Sequence, residues 1–227
     1  EKEIADGRIV GVGCNLRFVA AIEMLKAIVD DGRLGSLIRV RADFGWDLRR
    51  WRPGRDLRSS YSANAAEGGG ILFDAIHEFD YLYWIFGPVR RVSCFAGSRT
   101  SLALEVEDVA CTLLDFGSGL LGEVALDYAS GVYRRGYEIV GEGGSATWRW
   151  PDPYVVLSLD GSAIDRLPVA APDSMYERLI DDFLAAATQS AAMLIQTSTA
   201  ITTVNGVIEG SLNAEDLGLS GSAASGV

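Results

Sequence analysis

His77 is the only histidine of the 227-residue chain, and it stands one helical turn after Asp74. An imidazole changes charge near neutrality, so it can take a proton from a ligand or return one. A carboxylate three positions earlier on a helix shares its face and is placed to assist. Directly before the pair lies Gly68-Gly69-Gly70, a run without side chains that lets backbone or ligand approach closely. The stretch from Glu67 to Gly87 also has a plainer reading: a glycine loop, then an amphipathic core helix whose one histidine is hydrogen-bonded and does no chemistry.

These residues need elements to hold them. Residues 71–86 are predicted to form one helix, stopped by Gly87-Pro88. Earlier in the chain, residues 8–13 read as a short buried strand. Residues 18–31 read as a helix with the apolar stripe Phe18, Ala21, Ile22, Leu25, Ile28 and Val29, and residues 36–45 as a half-buried strand. Between this strand and the glycines runs a long irregular connection, residues 47–67, carrying Trp51, Arg52 and Tyr61; connections of that length in compact domains are more often functional than idle.

Strand-like segments follow at 89–99, 106–116, 119–128, 134–141, 144–150 and 154–159, and connectors such as Gly141-Glu142-Gly143-Gly144 are hairpin-like. Helical periodicity returns over 173–188 and 197–213, and the small polar tail from Ser220 is expected to be mobile. Consecutive strands joined by short turns predict an α+β fold: an open, mainly antiparallel β-sheet with helices packed on one face.

Composition narrows the function. A hydrophobic share of 48% with 22% charged residues is ordinary globular usage, enough for one large domain or two small ones. No apolar run reaches the roughly 18 residues of a membrane span and no secretory leader opens the sequence, so a soluble, cytoplasmic protein with no membrane partner is expected. The net charge of -11 argues against a nucleic-acid partner, which would need a basic face. Arg49, Arg50, Arg52, Arg55 and Arg58 nonetheless crowd one segment, either to bind a small anion or polar ligand or as a solvated loop. Cys14, Cys94 and Cys111 lie far apart with one histidine available, so neither a disulfide framework nor a metal site is expected, and buried thiols are the default. The run Gly11-Val12-Gly13-Cys14-Asn15-Leu16 imitates a dinucleotide fingerprint, but Leu16 stands where the third glycine belongs. The opening residues 1–7 look like the end of a helix stopped by Gly7, as in a chain cut from something longer.

Three groups of residues, in order, resemble the Gfo/Idh/MocA family of oxidoreductases. They are Asn15-Leu16-Arg17-Phe18; Trp51-Arg52-Pro53 with Asp56, Arg58 and Tyr61-Ser62-Ala63; and the stretch from Gly68 to Asp74 with His77 and Asp80. The later Asp115-Phe116 and Gly141-Glu142-Gly143-Gly144 fit the same pattern. The resemblance implies an N-terminal Rossmann domain that binds NAD or NADP, followed by an α/β domain whose open sheet shapes the substrate site and forms an oligomer interface. This chain resembles the second part: residues 1–16 as a remnant of the dinucleotide-binding domain, 17–219 as the substrate-binding and oligomerisation domain, and 220–227 as a flexible tail.

The family's catalytic lysine lies in a Glu-Lys-Pro motif of the nucleotide domain, and Glu1-Lys2-Glu3 lacks both its proline and its place. By resemblance His77 is the catalytic base, and Asp74 orients it or binds a neighbouring substrate hydroxyl; many relatives separate the two by three residues rather than two. Arg17, Trp51, Arg52 and Tyr61 are implied to line the substrate site, with Asn15 and Arg17 at the cofactor. The implied substrate is a sugar, sugar derivative or cyclitol, oxidised at a hydroxyl or reduced at a keto group. The full-length protein would use NAD or NADP, this chain alone would bind none and be inactive, and the open sheet face would make a homo-oligomer. Two alternatives stand beside this reading: a non-catalytic sugar-binding or assembly protein on the same fold, and an NAD-assisted glycosidase.

Overall fold

The computed structural model describes residues 11–51, 53–54, 56–160 and 164–189. The expected helix over 197–213, the tail, the opening helix end with Lys2, and Arg52 and Arg55 lie outside the described residues. In chain order a 3-10 turn (Asn15–Phe18) leads into α1 (Ala20–Asp30), β1 (Leu37–Gly45) and the short α2 (Leu48–Trp51). Three 3-10 turns (Leu57–Ser59, Tyr61–Ala63, Ala65–Glu67) then precede α3 (Ile71–Asp74) and α4 (His77–Phe86). The strands β2 (Arg91–Gly97), β3 (Val109–Asp115), β4 (Leu121–Asp127), β5 (Arg134–Gly141), β6 (Gly144–Arg149), β7 (Tyr154–Leu159) and β8 (Asp165–Pro168) follow, and α5 (Met175–Gln189) closes the series.

The strands make a single sheet in the order β2-β3-β4-β1-β5-β6-β7-β8. Strands β2 to β4 and β5 to β8 each pair antiparallel with the next in sequence, and β1 lies between the two runs, parallel to β4 and antiparallel to β5. The α+β class and the mainly antiparallel open sheet therefore hold, with one parallel pair that periodicity does not reveal. Alternation sorts the side chains: Val40, Ala42 and Phe44 of β1, with Val124, Leu126 and Ile139 beside them, are buried on the face covered by the helices. The stripe Ala21, Ile22, Leu25 and Ile28 of α1 closes that core, with Phe79 and Leu82 of α4. Truncating a fully buried leucine such as Leu25 to alanine would cost about 2–5 kcal/mol.

The other face is open. At its centre Arg39 pairs with Glu138 and Arg41 with Glu123; toward the β2 end Phe95, Leu113 and Leu121 are 70%, 61% and 58% exposed. Cys111 is also exposed there, so the expectation of three buried thiols holds for Cys14 and Cys94 alone. Strand pleat explains the difference, since Cys111 falls between the buried Ala110 and Thr112.

Two other expectations change. Of the expected strand 8–13, residues 11–13 are irregular and residues 8–10 lie outside the described residues. The predicted helix 71–86 is broken at Ala75-Ile76, where Ala75 has φ -106° and ψ 30°. Tertiary ties on both sides account for the break: the backbone carbonyl and Oε1 of Glu107 accept from the N–H groups of Ile71 and Leu72, while Glu78 and Asp80 reach to Arg135 and Arg17. Strand β8 escaped the sequence pattern because Asp165-Arg166-Leu167-Pro168 is a polar edge strand ending in proline. Among the described residues no helix is long and apolar enough to cross a membrane, and no group of His, Cys, Asp or Glu side chains could hold a metal ion.

Candidate active site

The glycine run fixes where the site begins. Gly68 is left-handed at φ 77° and Gly70 has φ 112°, values that glycine adopts without strain. A Cβ on Gly69 would strike the backbone of residues 61–64, and one on Gly70 would strike the Glu107 carboxylate. The close approach expected at the triple glycine is thus made by Glu107 and by the 3-10 turns, and it seats the first turn of α3. Asp74 ends that turn half-buried, and its Oδ2 accepts a 2.7 Å hydrogen bond from the hydroxyl of Tyr128, just beyond β4.

His77 starts α4, half-buried, with its Nδ1 atom buried and without a hydrogen-bond partner among the described residues. Asp74 and His77 share no hydrogen bond. Burial, and after it the Arg135 guanidinium, push the imidazole's pKa down to about 4, against an upward pull from Asp80. His77 is therefore neutral at physiological pH, with its base form fully populated.

Behind His77 lies a buried ion pair. Arg135 Nε donates to Glu78 Oε1 at 2.8 Å, an Nη of Arg135 donates to the Tyr133 hydroxyl at 3.0 Å, and the guanidinium stacks 4.6 Å from the Phe44 ring centroid. Burial raises the Glu78 carboxyl's pKa, and the arginine works against that rise. A second pair lies on the same helix: Asp80, 1% exposed in its side chain, accepts two bonds from Arg17. Beside it, burial and the Asp80 charge push the Cys14 thiol up to about 12, so it is an inert neutral thiol.

The other residues named from the sequence separate into those at the site and those engaged elsewhere. Trp51 packs edge-on against Tyr128 at 6.1 Å and against Phe44 at 5.7 Å, so it walls the side of the site where Tyr128 holds Asp74. Tyr61 is exposed and lies near enough to help raise the Tyr128 phenol's pKa, after burial and Asp74. Arg52 lies outside the described residues. Asn15, buried, donates through Nδ2 to the Met175 sulfur at 3.5 Å, and Arg17 is held by Asp80. Neither of these two offers a phosphate cradle as placed, and around Gly11–Gly13 the surface is an apolar groove with Leu179, Ile180 and Phe183. The described residues thus do not by themselves fit a dinucleotide.

Tyr128, Glu107, Glu78 and Arg135 were missed from the sequence. One signal was available: α4, His77-Glu78-Phe79-Asp80-Tyr81-Leu82-Tyr83-Trp84-Ile85-Phe86, carries acidic residues in an otherwise apolar helix, and buried charges require partners. Nothing in the sequence named those partners, which arrive from strands and loops far along the chain.

The GFO/IDH/MocA C-terminal domain profile matches residues 22–147. The chain is 31% identical over 173 residues to an inositol 2-dehydrogenase of Gluconacetobacter diazotrophicus, covering 73% of this chain and 46% of that protein. It is 28% identical over 121 residues to the trans-1,2-dihydrobenzene-1,2-diol dehydrogenase of Mus musculus, covering 53% of this chain and 34% of that protein. The chain therefore aligns with less than half the length of either relative. Among solved structures, a levoglucosan dehydrogenase in complex with NADH and levoglucosan shares the fold, with a TM-score of 0.77 at 16% identity over 95% of this chain and 67% of that one. An oxidoreductase domain protein of Kribbella flavida gives 0.73 at 22% identity, over 92% and 65%. With more than half of its residues matched to that domain, the chain belongs to the Gfo/Idh/MocA family of oxidoreductases.

Proposed function

We propose that this chain is the substrate-binding and oligomerisation part, residues 17–219, of a cytoplasmic NAD(P)-dependent oxidoreductase that acts on a hydroxyl or keto group of a sugar, sugar derivative or cyclitol. The observation that carries the reading is His77: half-buried, neutral at physiological pH, and at the start of the helix that follows the Tyr128-bound Asp74, on a fold shared with a levoglucosan dehydrogenase. The nicotinamide, held by parts of the full-length protein, supplies the hydride acceptor or donor when bound. The residues of this chain handle binding and the proton.

For oxidation, Nε2 of a neutral imidazole that carries its own hydrogen on Nδ1 accepts the hydroxyl proton of the substrate, and for reduction it returns one. A pKa near 4 keeps the acceptor form available at any physiological pH, at the expense of basicity. Trp51 and Tyr61 offer aromatic surfaces to the apolar side of a polyhydroxylated ring, and Asp74 offers a charged acceptor to its hydroxyls. Phe95, Leu113 and Leu121 on the open sheet face are the surface for self-association.

The test uses the full-length protein with NAD+ or NADP+ and a panel of myo-inositol, D-apiose and levoglucosan. Dinucleotide reduction with at least one of them is expected, and this chain alone should be inert. His77→Ala in the full-length protein should lose about 100- to 10,000-fold in kcat. Wild-type turnover in that variant, or turnover by this chain without the dinucleotide, would sink the assignment.

A further inference from the structure

We propose that a run of tryptophan and tyrosine rings forms an electron relay from the surface to Tyr128, where a single oxidising equivalent comes to rest as the Tyr128 hydroxyl passes its proton to Asp74. This activity lies outside the oxidoreductase reading and does not depend on it.

The rings are in unbroken contact. From Trp148 the path runs to Trp150 at 5.8 Å between centroids, to Tyr133 at 6.3 Å, to Trp46 at 5.5 Å, to Trp51 at 6.0 Å and to Tyr128 at 6.1 Å. Electron tunnelling falls off steeply with distance, so neighbouring rings at van der Waals separation exchange electrons, provided each can be oxidised. Indole and phenol meet that condition. The Phe44 ring, packed against Trp51 and Tyr133, does not, and it is a spacer rather than a step. Trp150, Tyr133 and Trp46 are half-buried, so the run opens to solvent, whereas Tyr128 at its other end is fully buried.

Edge-on aromatic packing also serves a core for its stability alone. What gives this run a direction is the difference between its two tyrosines. A phenol gives up an electron easily only when its proton has somewhere to go. The Tyr128 hydroxyl donates to Asp74 Oδ2 at 2.7 Å, a charge-assisted bond along which the proton can move. The Tyr133 hydroxyl instead accepts from Arg135 and, among the described residues, donates to none. Charge acts in the same sense: the Arg135 guanidinium lies 5.9 Å from the Tyr133 ring and opposes a positive hole there, while the Asp74 and Glu107 carboxylates lie near Tyr128.

A one-electron oxidant such as the carbonate radical takes an electron from an outer indole and becomes carbonate. Tyr128 refills that indole through the intervening rings, its O–H bond breaks, and the proton bonds to Asp74 Oδ2, leaving a neutral phenoxyl radical beside a carboxylic acid. An enediol reductant such as ascorbate returns the electron by the same route and is left as its own one-electron-oxidised radical. The proton goes back from Asp74, so the oxidation leaves no covalent lesion.

The test is a flash-quench experiment on this chain, with a ruthenium tris-bipyridyl label on Arg149→Cys in a Cys111→Ser background. Arg149 is exposed and stands between Trp148 and Trp150 in sequence, and Cys111 is the exposed thiol among the described residues. A flash with a soluble cobalt(III) ammine quencher leaves oxidised ruthenium at the outer end of the relay, and the radical formed in the protein is identified by electron paramagnetic resonance. A tyrosyl radical is expected. Tyr128→Phe should lose it and show a tryptophanyl radical in its place, and Asp74→Asn should do the same.

A parent chain that halts at a tryptophanyl radical, or a tyrosyl signal that survives Tyr128→Phe, would overturn the relay. An undiminished tyrosyl signal in Asp74→Asn would overturn the proton step. If Tyr128→Phe does not fold, Trp51→Phe takes its place, since it keeps a ring in the wall but removes the oxidisable step next to Tyr128. Loss of the tyrosyl signal there supports the proposal, and an undiminished signal defeats it.

Discussion

Arg17 and Asp80 are joined by two hydrogen bonds, Nε to Oδ2 at 2.8 Å and Nη2 to Oδ1 at 2.6 Å, with the aspartate side chain 1% exposed. The arginine that leads into α1 thereby ties the 3-10 turn Asn15–Phe18 to α4, the helix that begins with His77. Arg17→Met would leave Asp80 buried and unpaired, which is expected to cost about 3–5 kcal/mol in urea unfolding of this chain. An arginine serving only a cofactor would be replaceable at little cost, so stability within about 0.5 kcal/mol of wild type would contradict the structural role.

The Glu78–Arg135 pair should behave as a unit. Removing either partner alone strands a charge in the core beside Phe44, whereas the double variant Glu78→Leu/Arg135→Met strands none. The double variant is expected to be more stable than either single variant by about 1–3 kcal/mol. Additive losses in the cycle would show that the two side chains are energetically independent.

Acid should weaken the fold through His77. The native imidazole has its pKa lowered to about 4 by burial first and Arg135 second, whereas an unfolded histidine titrates near about 6.5. Between these values the unfolded chain binds more protons, so stability rises with pH across the window. The contribution is complete above about pH 6.5 and is lost as the pH falls to about 4, on the order of 3 kcal/mol. Urea unfolding at pH 7 and 4.5, in wild type and His77→Asn, isolates this contribution from the carboxylates. In the full-length enzyme the acid limb of kcat/KM should lie near pH 4–5; a limb near 6.5 would mean an ordinary, solvated imidazole.

Gly70 is expected to tolerate no side chain. Gly70→Ala combines a φ of 112° with a collision against the Glu107 carboxylate, which is itself bonded to the Leu72 N–H. A loss of about 1–3 kcal/mol should appear in thermal unfolding, together with reduced polyol turnover in the full-length protein as α3 and Asp74 shift. Wild-type melting would show that the loop yields freely.

The exposed sheet face should join chains. Leu113 lies in register with Glu123, and Phe95 with Cys111, so Phe95, Leu113 and Leu121 form a patch at the β2 end of the sheet. Light scattering should report an oligomer for wild type and a smaller species for Leu113→Glu. A monomeric wild type would remove the proposed interface.

The α+β class, the open sheet, the strands from β2 to β7 and the stretch around His77 were legible because each is written locally: alternation of two, helical periodicity, and turns marked by glycine. The position of β1 was not, since a strand's neighbours are set by packing between distant segments, and hydrophobic alternation says only which face is buried. The site was legible in His77 and Asp74 as residues to watch, but their relation was not. A spacing of three on a continuous helix implied one shared face, while Glu107, Tyr128 and Arg135, all remote in sequence, pull the two turns apart at Ala75-Ile76.

The central strand also governs how the chain must be made. Residues 37–45 leave the ribosome well before both of their neighbours, residues 121–127 and 134–141. During synthesis Val40, Ala42 and Phe44 remain without their sheet while the intervening helices and two further strands emerge. Such long-range closure slows folding and leaves an unpaired apolar edge in the nascent protein. For a strand in this place, charge on the opposite face is of use: Arg39 and Arg41 put like charges on the waiting segment, which disfavours its pairing with a like segment of another nascent chain.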